Sequence, residues 1–211
     1  MTIAFDAKRI TNNATGLGNY SRFVLQTLTD FLPENRYLLF SPSVGDPSLY
    51  KELVKHRSVH LITPHRALAL AGGSLWRNFS IPGVCRTEGV DLFHGLSNEL
   101  PIGLYRNKRI RTVVTIHDLA FIRYPQFYKA IDRALYRKKY GASARNADHV
   151  ITVSDQTRRD VIDIFGVEPE RVTTVYQGCS EAFSAVTPEE VTLARTKLKL
   201  PERYILFVGS I

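Results

Sequence analysis

Short apolar segments that end on a polar residue recur along this chain of 211 residues. The clearest are residues 3–5 before Asp6, residues 92–93 before His94, residues 113–116 before His117 and Asp118, and residues 150–153 before Ser154. Stretches with the apolar spacing of helices lie between such segments. This alternation predicts an α/β fold with a doubly wound, mainly parallel sheet of the Rossmann-like type. Because ligands bind beyond the carboxyl ends of strands in open α/β sheets, the terminating residues mark a candidate small-molecule cleft.

The same pattern assigns the individual elements. Strands are predicted at residues 3–6, 37–40, 59–63, 90–93, 112–116, 149–153 and 172–176, and helices at residues 19–32, 49–54, 130–145 and 157–165. Residues 75–86 stay ambiguous, because Pro82 and Gly83 interrupt any helix there. Ser154 or Asp155 is expected to cap the helix at 157–165, and Gly166 stands where a helix end favours a left-handed residue.

The last residues predict the beginning of another structural unit. Residues 188–198 have the pattern of a helix, and residues 204–208 that of a buried strand running into Gly209. We expect a first domain at residues 1–187, a linker helix at 188–202, and at 203–211 the first strand of a second α/β domain whose remainder is missing. The alternative is that this last strand pairs with the edge of the first sheet.

Charge and composition limit the partners. A net charge of +8 and an isoelectric point of about 9.6 favour polyanions: nucleic acid, an anionic membrane surface or phosphorylated ligands. The first residues lack the pattern of a secretory signal, and no apolar segment is long enough to span a bilayer, so a cytoplasmic location is expected. Cys85 and Cys179 have neither metal-ligand nor redox-motif spacing, and no metal is expected.

The loop at residues 6–20 contains Gly16 and Gly18 between a predicted strand and a predicted helix. Glycines let a backbone approach a ligand, and a helix N-terminus offers N–H groups to an anion. The loop does not match the dinucleotide-binding fingerprint, because Ser21 stands where a third glycine belongs. A phosphate cradle and a purely structural turn are both consistent with it.

Several further stretches complete a recognisable pattern. They are Gly16-Leu17-Gly18 with Tyr20, residues 91–94, residues 115–119, residues 151–154 followed by Arg159 and Asp160, and Gln177-Gly178. Their order and spacing resemble the N-terminal half of the GT-B-fold, retaining glycosyltransferases of family 4, which include bacterial mannosyl- and glucosyltransferases of surface polysaccharides. Residues 204–211 resemble the first strand of that family's nucleotide-sugar domain. The resemblance extends over essentially the whole chain.

The resemblance implies a role for each terminating residue. The backbone of Gly16, Leu17, Gly18 and Asn19 would approach the donor diphosphate, although many relatives carry arginine in place of Asn19. His117 matches the family histidine beside the donor sugar and is the catalytic candidate. On the acceptor side of the cleft the candidates are His94, Asp118 and Ser154. From local chemistry alone, His117 and His94 are also compatible with structural hydrogen bonding, and Asp118 and Ser154 with helix capping.

The resemblance also implies a reaction. A hexose, with mannose among the candidates, would pass from a nucleotide-diphosphate sugar to a polysaccharide or lipid-linked acceptor, with no cofactor or metal. The leaving phosphate itself would take the acceptor proton in a front-face transfer. The cationic clamp for that phosphate belongs to the family's second domain, so this chain alone is expected to be inactive and to need that missing C-terminal domain as its partner.

Other functions remain open at this point. Two basic clusters, one at residues 133–140 and one at residues 106–111, together with Arg77 beside Trp76, are candidates for peripheral contact with the inner face of the membrane, or for plain solvation. Residues 66–79 form either an acceptor-side helix near lipid or a core helix. A nucleic-acid module would use the charge and the interleaved Tyr136 and Tyr140, but no nucleic-acid-binding motif supports it, and none is expected. A non-catalytic α/β ligand-binding or regulatory domain is the alternative function.

Overall fold

The computed structural model describes residues 1–64, 75–106, 109–179 and 184–207. The chain divides into two compact units, Met1–Gln177 and Gly178–Ile211. The first unit contains the sheet and all of the candidate site residues. The described part of the second unit contains one helix and no strand. The predicted domain limits at residues 187 and 202 stay predictions.

The first unit is built on a seven-stranded parallel sheet. Its strands are β1 (Thr2–Asp6), β2 (Arg36–Phe40), β3 (Val59–Ile62), β4 (Leu92–Gly95), β5 (Arg111–Ile116), β6 (His149–Thr152) and β7 (Val172–Thr174). They lie in the order β3-β2-β1-β4-β5-β6-β7, and every neighbouring pair is parallel. This order extends the usual doubly wound arrangement by one strand. The predicted fold class is confirmed.

Seven α-helices accompany the sheet in the described residues. They are α1 (Lys8–Asn12), α2 (Gly16–Phe31), α3 (Ile81–Thr87), α4 (Ala120–Arg123), α5 (Ala130–Asn146), α6 (Asp155–Phe165) and, in the second unit, α7 (Pro188–Leu198). The predicted helices at 19–32, 130–145, 157–165 and 188–198 all form. The predicted helix at 49–54 is replaced by two 3₁₀ turns, Pro47–Leu49 and Leu53–Lys55.

Helix α6 begins and ends as its sequence predicts. The side chain of Ser154 accepts a hydrogen bond from the Thr157 backbone N–H, which satisfies one of the donors that a helix start leaves without a partner. At the other end, Gly166 adopts a left-handed conformation with φ of 67°. The Ser154 cap places the start of α6 directly beyond the carboxyl end of β6.

Alternate residues of β1 and β2 enter two separate cores, one on each face of the sheet, and β4 contributes to the first of them. Ala4, Leu38 and Phe93 pack in one core, whereas Phe5 and Leu39 pack in the other. All five side chains are fully buried. Burial on both faces explains why these strands appear in the sequence as continuous apolar runs rather than alternating ones.

Two segments differ from the prediction. Part of the ambiguous region 75–86 forms a single π-helical turn, Trp76–Ser80, which continues directly into α3 with Pro82 in its first turn. Residues 204–207, the described part of the predicted strand at 204–208, form no strand here, and their assignment to a second domain stays a prediction. A strand needs a neighbour for its backbone groups, and Ile205 and Phe207 are 100% and 83% exposed.

One expectation falls mostly on residues outside the described part of the chain. Most of the predicted helix at 66–79 falls on residues 65–74, which lie outside the described residues. Within the described part, no helix combines the length and the hydropathy that crossing a bilayer requires.

Candidate functional site

The candidate site lies at the carboxyl edge of the sheet, around the point where the strand order reverses. Strand β1 has β2 on one side and β4 on the other, so the connections leave in opposite directions there. Such a reversal opens a crevice beyond the strand ends. Asp6 ends β1, His94 lies one residue before the end of β4, and His117 directly follows β5.

Tyr20 connects the first glycine loop to both strand ends. Its ring meets the ring of His117 edge-on, with centroids 4.7 Å apart. Its hydroxyl lies 3.2 Å from Oγ1 of Thr115, and that same oxygen lies 2.8 Å from Nε2 of His94. His94, His117 and the start of α2 therefore form one connected group, as the parallel arrangement predicts.

His94 is held in a neutral form by its surroundings. It is 7% exposed and packs against the ring of Phe5 at 5.9 Å. Burial, together with the nearby His117, lowers the pKa of His94 to about 4. A neutral imidazole in contact with the Thr115 hydroxyl positions that hydroxyl, and the low pKa excludes a protonated His94 as an acid near neutral pH.

His117 is fixed by its backbone as well as by its ring. Its Nε2 lies 2.9 Å from the carbonyl oxygen of Leu96, so Nε2 carries the hydrogen and Nδ1 is left as the acceptor in the neutral ring. Burial lowers the pKa of His117, while the Leu96 carbonyl and Asp118 partly oppose that shift. The Thr157 hydroxyl donates to the His117 carbonyl oxygen at 3.1 Å, which ties the residue to α6.

Asn98 clamps the end of β5 from the loop after β4. Its backbone N–H donates to the carbonyl oxygen of Thr115 at 2.9 Å, and its side-chain oxygen accepts from the backbone N–H of His117 at 2.8 Å. Asn98 adopts φ of 65°, a left-handed conformation that asparagine tolerates better than most residues. The backbone on both sides of Ile116 is thereby held.

The two glycines of the first loop have different surroundings. A side chain at Gly18 would place its Cβ 1.8 Å from the carbonyl oxygen of Asn13, so only glycine fits. At Gly16, by contrast, a Cβ would meet nothing within 4 Å. The side-chain oxygen of Asn13 accepts from the backbone N–H groups of Thr15 and Gly18 at 3.0 Å each and closes the loop. Gly16 is thus the open position at the N-terminus of α2, and Leu17 and Asn19 follow it inside the helix.

Asp118 and Ser154 both act as local caps in this structure. Asp118 accepts from the backbone N–H of Ala120 at 2.9 Å, and Ser154 caps α6. Both also line an open cavity of about 400 Å³ that includes His117. The capping interpretation of these side chains is confirmed, and their predicted contact with an acceptor stays a prediction.

A buried ionic group lies at the end of β1. The Arg77 guanidinium, which is largely buried, donates to Asp6 at 2.5 Å and to Glu99 at 2.8 Å. Trp76 is also buried, with 4% exposure. The predicted membrane role of Arg77 beside Trp76 is therefore wrong, because a guanidinium engaged by two carboxylates inside the protein cannot reach a lipid surface.

The structure adds site residues to which the sequence analysis assigned no role. Thr115 and Asn98 organise the histidines, and Arg123, Gln156 and Asp160 form a hydrogen-bonded group that lines the same cavity as His117. An asparagine three residues after the glycine that ends β4 is a signal for a left-handed turn. Arg123 and Asp160 lie 37 positions apart, and no local pattern indicates their contact.

Comparison with known proteins adds a sequence relationship to this geometry. A family model described as Glycosyltransferase Family 4 matches residues 23–183. The chain is 28% identical over 121 residues to the O-antigen chain mannosyltransferase B of Escherichia coli, a match that covers 56% of this chain and 30% of that protein.

Solved structures share the fold. HepE of Anabaena, solved with UDP and glucose, superposes with a TM-score of 0.64 at 18% identity, over 94% of this chain and 50% of that one. A glycosyltransferase of Rickettsia africae gives 0.58 at 15% identity, over 95% and 50%. The chain thus spans about half the length of these two structures. The match to the mannosyltransferase covers a smaller share, 30%, of that protein. The match of the family model over most of the sequence shows that the chain belongs to glycosyltransferase family 4.

Proposed function

We propose that this chain is the acceptor-binding half of a retaining hexosyltransferase. In this proposal a hexose passes from a nucleotide-diphosphate sugar to a polysaccharide or lipid-linked acceptor. The observation that carries the proposal is the contact of His117 with Tyr20 at the start of α2, which brings the catalytic candidate beside the glycine loop in a family 4 chain.

The donor is a nucleoside diphosphate linked to glucose or mannose. Support comes from relatives whose names include a mannosyltransferase and a protein solved with UDP-glucose. The open backbone at Gly16 and the N–H groups at the start of the 16-residue α2 suit a diphosphate, which helix N-termini bind. Asn19 adds a neutral side chain rather than a cation at this point.

His117 orients the donor sugar in this mechanism. Its Nε2–H is committed to the Leu96 carbonyl, so Nδ1 accepts a hydrogen bond from a sugar hydroxyl. Breaking the bond to the diphosphate builds positive charge at the anomeric carbon and negative charge on the phosphate. The phosphate oxygen then takes the acceptor proton as the new glycosidic bond forms on the same face. The donor sugar is a substrate, and the proposal assigns no metal.

The full reaction needs groups beyond those of this chain. Donors fixed around the leaving phosphate lower such a barrier most, and they are expected in a second domain. The proposal therefore predicts that purified residues 1–211 neither transfer nor hydrolyse UDP-glucose or GDP-mannose. Release of labelled hexose, followed by chromatography, measures both reactions. Clear turnover by the isolated chain would contradict the proposal that it provides only half of the active site.

Replacement of His117 tests the catalytic assignment in the intact enzyme. We expect His117→Ala to lower kcat by about 10²–10³-fold, the usual cost of removing one fixed polar group from a transition state. His60→Ala is the matched control, because His60 lies exposed on β3, far along the strand order from β5. Unfolding temperatures of both variants establish that the fold is kept. Near-normal transfer by the His117 variant would remove it from the site.

The proposal includes the inner face of a membrane as the place of action. Phe127 and Ile131 are 78% and 77% exposed just before and at the start of α5. Cations outnumber the one acid, Asp132, in this segment, and Lys129 and Arg137 are both exposed. Exposed apolar side chains among cations suit an anionic bilayer surface, where a lipid-linked acceptor would be available.

A further inference from the structure

The open cavity beside His117 is lined by several side chains besides the caps Asp118 and Ser154. Its volume of about 400 Å³ lies within the range of small-molecule sites, roughly 300–1,000 Å³. The lining includes Arg123 and Tyr124, which follow β5, and Gln156 and Asp160 from the first half of α6. These side chains come from two elements that both start at the carboxyl edge of the sheet.

Asp160 holds the polar side chains of this lining in place. Its carboxylate is 4% exposed, and its Oδ1 accepts from Nε of Arg123 at 3.0 Å and from the Gln156 amide at 2.8 Å. A second nitrogen of Arg123 donates to the same oxygen. The Arg123 side chain is nevertheless 50% exposed, so its guanidinium is held in one orientation on a side chain that still reaches solvent.

The charges around the cavity are mixed and slightly negative. Two arginines, Arg123 in the lining and Arg159 beside it, are accompanied by three aspartates, Asp118, Asp160 and Asp163. Arg159 donates to the side-chain oxygen of Gln156 at 3.1 Å. A phosphate would gain little from such a set, whereas a neutral ligand rich in hydroxyl groups would find both donors and acceptors.

Tyr124 supplies an aromatic surface. It lines the cavity with 57% of its area exposed. Hexopyranose rings combine one apolar C–H face with a rim of hydroxyl groups. An aromatic ring beside oriented guanidinium, amide and carboxylate groups offers a matching surface for both parts.

We propose that this cavity binds a neutral hexopyranose ring of the acceptor, with Tyr124 against its C–H face and the Arg123–Gln156–Asp160 group on its hydroxyls. The assignment rests on the proposed function, because only a sugar held next to His117 would present a hydroxyl to the donor. The acceptor ring bound here is distinct from the transferred sugar.

Titration of the isotopically labelled chain with methyl glycosides tests the inference. The probes are methyl α-D-glucopyranoside, methyl α-D-mannopyranoside and methyl α-D-galactopyranoside, with glycerol as the control for a polyol without a ring. At least one glycoside is expected to shift the amide signals of Tyr124 and Gln156 saturably at millimolar concentration. Equal shifts with glycerol, or shifts that never saturate, would overturn the inference.

Variants separate binding from folding. Tyr124→Ala is expected to weaken glycoside binding about 10-fold, which corresponds to about 1.4 kcal/mol for the lost aromatic contact. Phe31→Ala, an exposed aromatic residue at the end of α2, is the matched control and should leave binding unchanged. Arg123→Lys keeps the charge beside Asp160 but loses the planar guanidinium with its several N–H donors. This variant is expected to weaken binding without unfolding the chain. Wild-type affinity in Tyr124→Ala would contradict the assignment.

A parallel titration with UDP distinguishes this inference from the proposed function. UDP is expected to shift Gly16 and Asn19, in wild type and Tyr124→Ala alike. If UDP shifts those signals but no glycoside binds, the acceptor cavity is wrong and the donor contact stands. If glycosides bind at Tyr124 but UDP leaves Gly16 unchanged, the donor contact is wrong and the cavity stands.

Discussion

Burial controls the protonation of the two histidines at the strand ends. His94 and His117 are 7% and 9% exposed, and burial is the first cause of the lowered pKa of each. Both rings are hydrogen-bonded through Nε2, to the Thr115 hydroxyl and to the Leu96 carbonyl. At the residue scale, the site therefore contains two oriented neutral imidazoles rather than a proton donor.

The low pKa of His94 predicts a loss of stability in mild acid. Between pH 6.5 and about 4 the unfolded chain binds a proton that the folded chain does not, so folding is favoured less as the pH falls through this window. The full effect is on the order of 3 kcal/mol. Urea unfolding of wild type and His94→Gln, with exposed His60→Gln as the control, measures it. An equally steep acid loss in His94→Gln would contradict this origin.

The two loop glycines are expected to respond differently to alanine. Gly18→Ala pushes a methyl group against the Asn13 carbonyl and should cost about 1–3 kcal/mol or more. Gly16→Ala meets open space and should change the free energy of unfolding by less than about 1 kcal/mol. Urea unfolding compares the two variants. Equal losses of unfolding free energy would show that the Asn13 carbonyl does not lie against residue 18. If the donor contact is right, Gly16→Ala weakens UDP binding although the fold is intact.

At the scale of elements, the sequence predicted those strands and helix ends that depend on neighbouring residues alone. The apolar runs of the strands, the Ser154 cap and the left-handed Gly166 all lie in short stretches of sequence. The short α1 and α4 were not predicted, because five- and four-residue helices depend on tertiary contacts rather than on periodicity. The π-helical turn Trp76–Ser80 was not predicted either, and Arg77 within it contacts partners that lie 71 and 22 positions away.

The Asn98 clamp predicts how the end of β5 is stabilised. Asn98→Ala and Asn98→Gly both remove the acceptor for the His117 N–H, a loss of about 1–3 kcal/mol at a buried donor. Alanine is also strained at the left-handed φ of 65°, whereas glycine is not. Asn98→Ala should therefore be less stable than Asn98→Gly by about 1–2 kcal/mol. Urea unfolding gives the order, and the His117 amide signal reports the lost bond in both. The reverse order would show that the left-handed backbone does not persist.

At the scale of the whole molecule, parallel topology explains why part of the candidate site could be predicted. Strands that run the same way place His94 and His117 at one edge, so their proximity follows from the fold class. The pairing of Arg123 with Asp160 and of Thr115 with Tyr20 follows from packing between distant segments. Such contacts depend on the register of elements, which no single stretch of sequence determines.

The net charge of +8 and the exposed apolar residues Phe127 and Ile131, just before and at the start of α5, predict salt-sensitive binding to anionic bilayers. Vesicles containing phosphatidylglycerol should sediment the chain, and pure phosphatidylcholine vesicles should not. Phe127→Ser with Ile131→Ser should weaken binding by about 10-fold or more, because both side chains lose their contact with the acyl boundary. Phe31→Ser with Val44→Ser, exposed elsewhere, is the matched control. Binding that ignores anionic lipid and salt, or that survives the first double substitution, would remove the membrane from the proposed function.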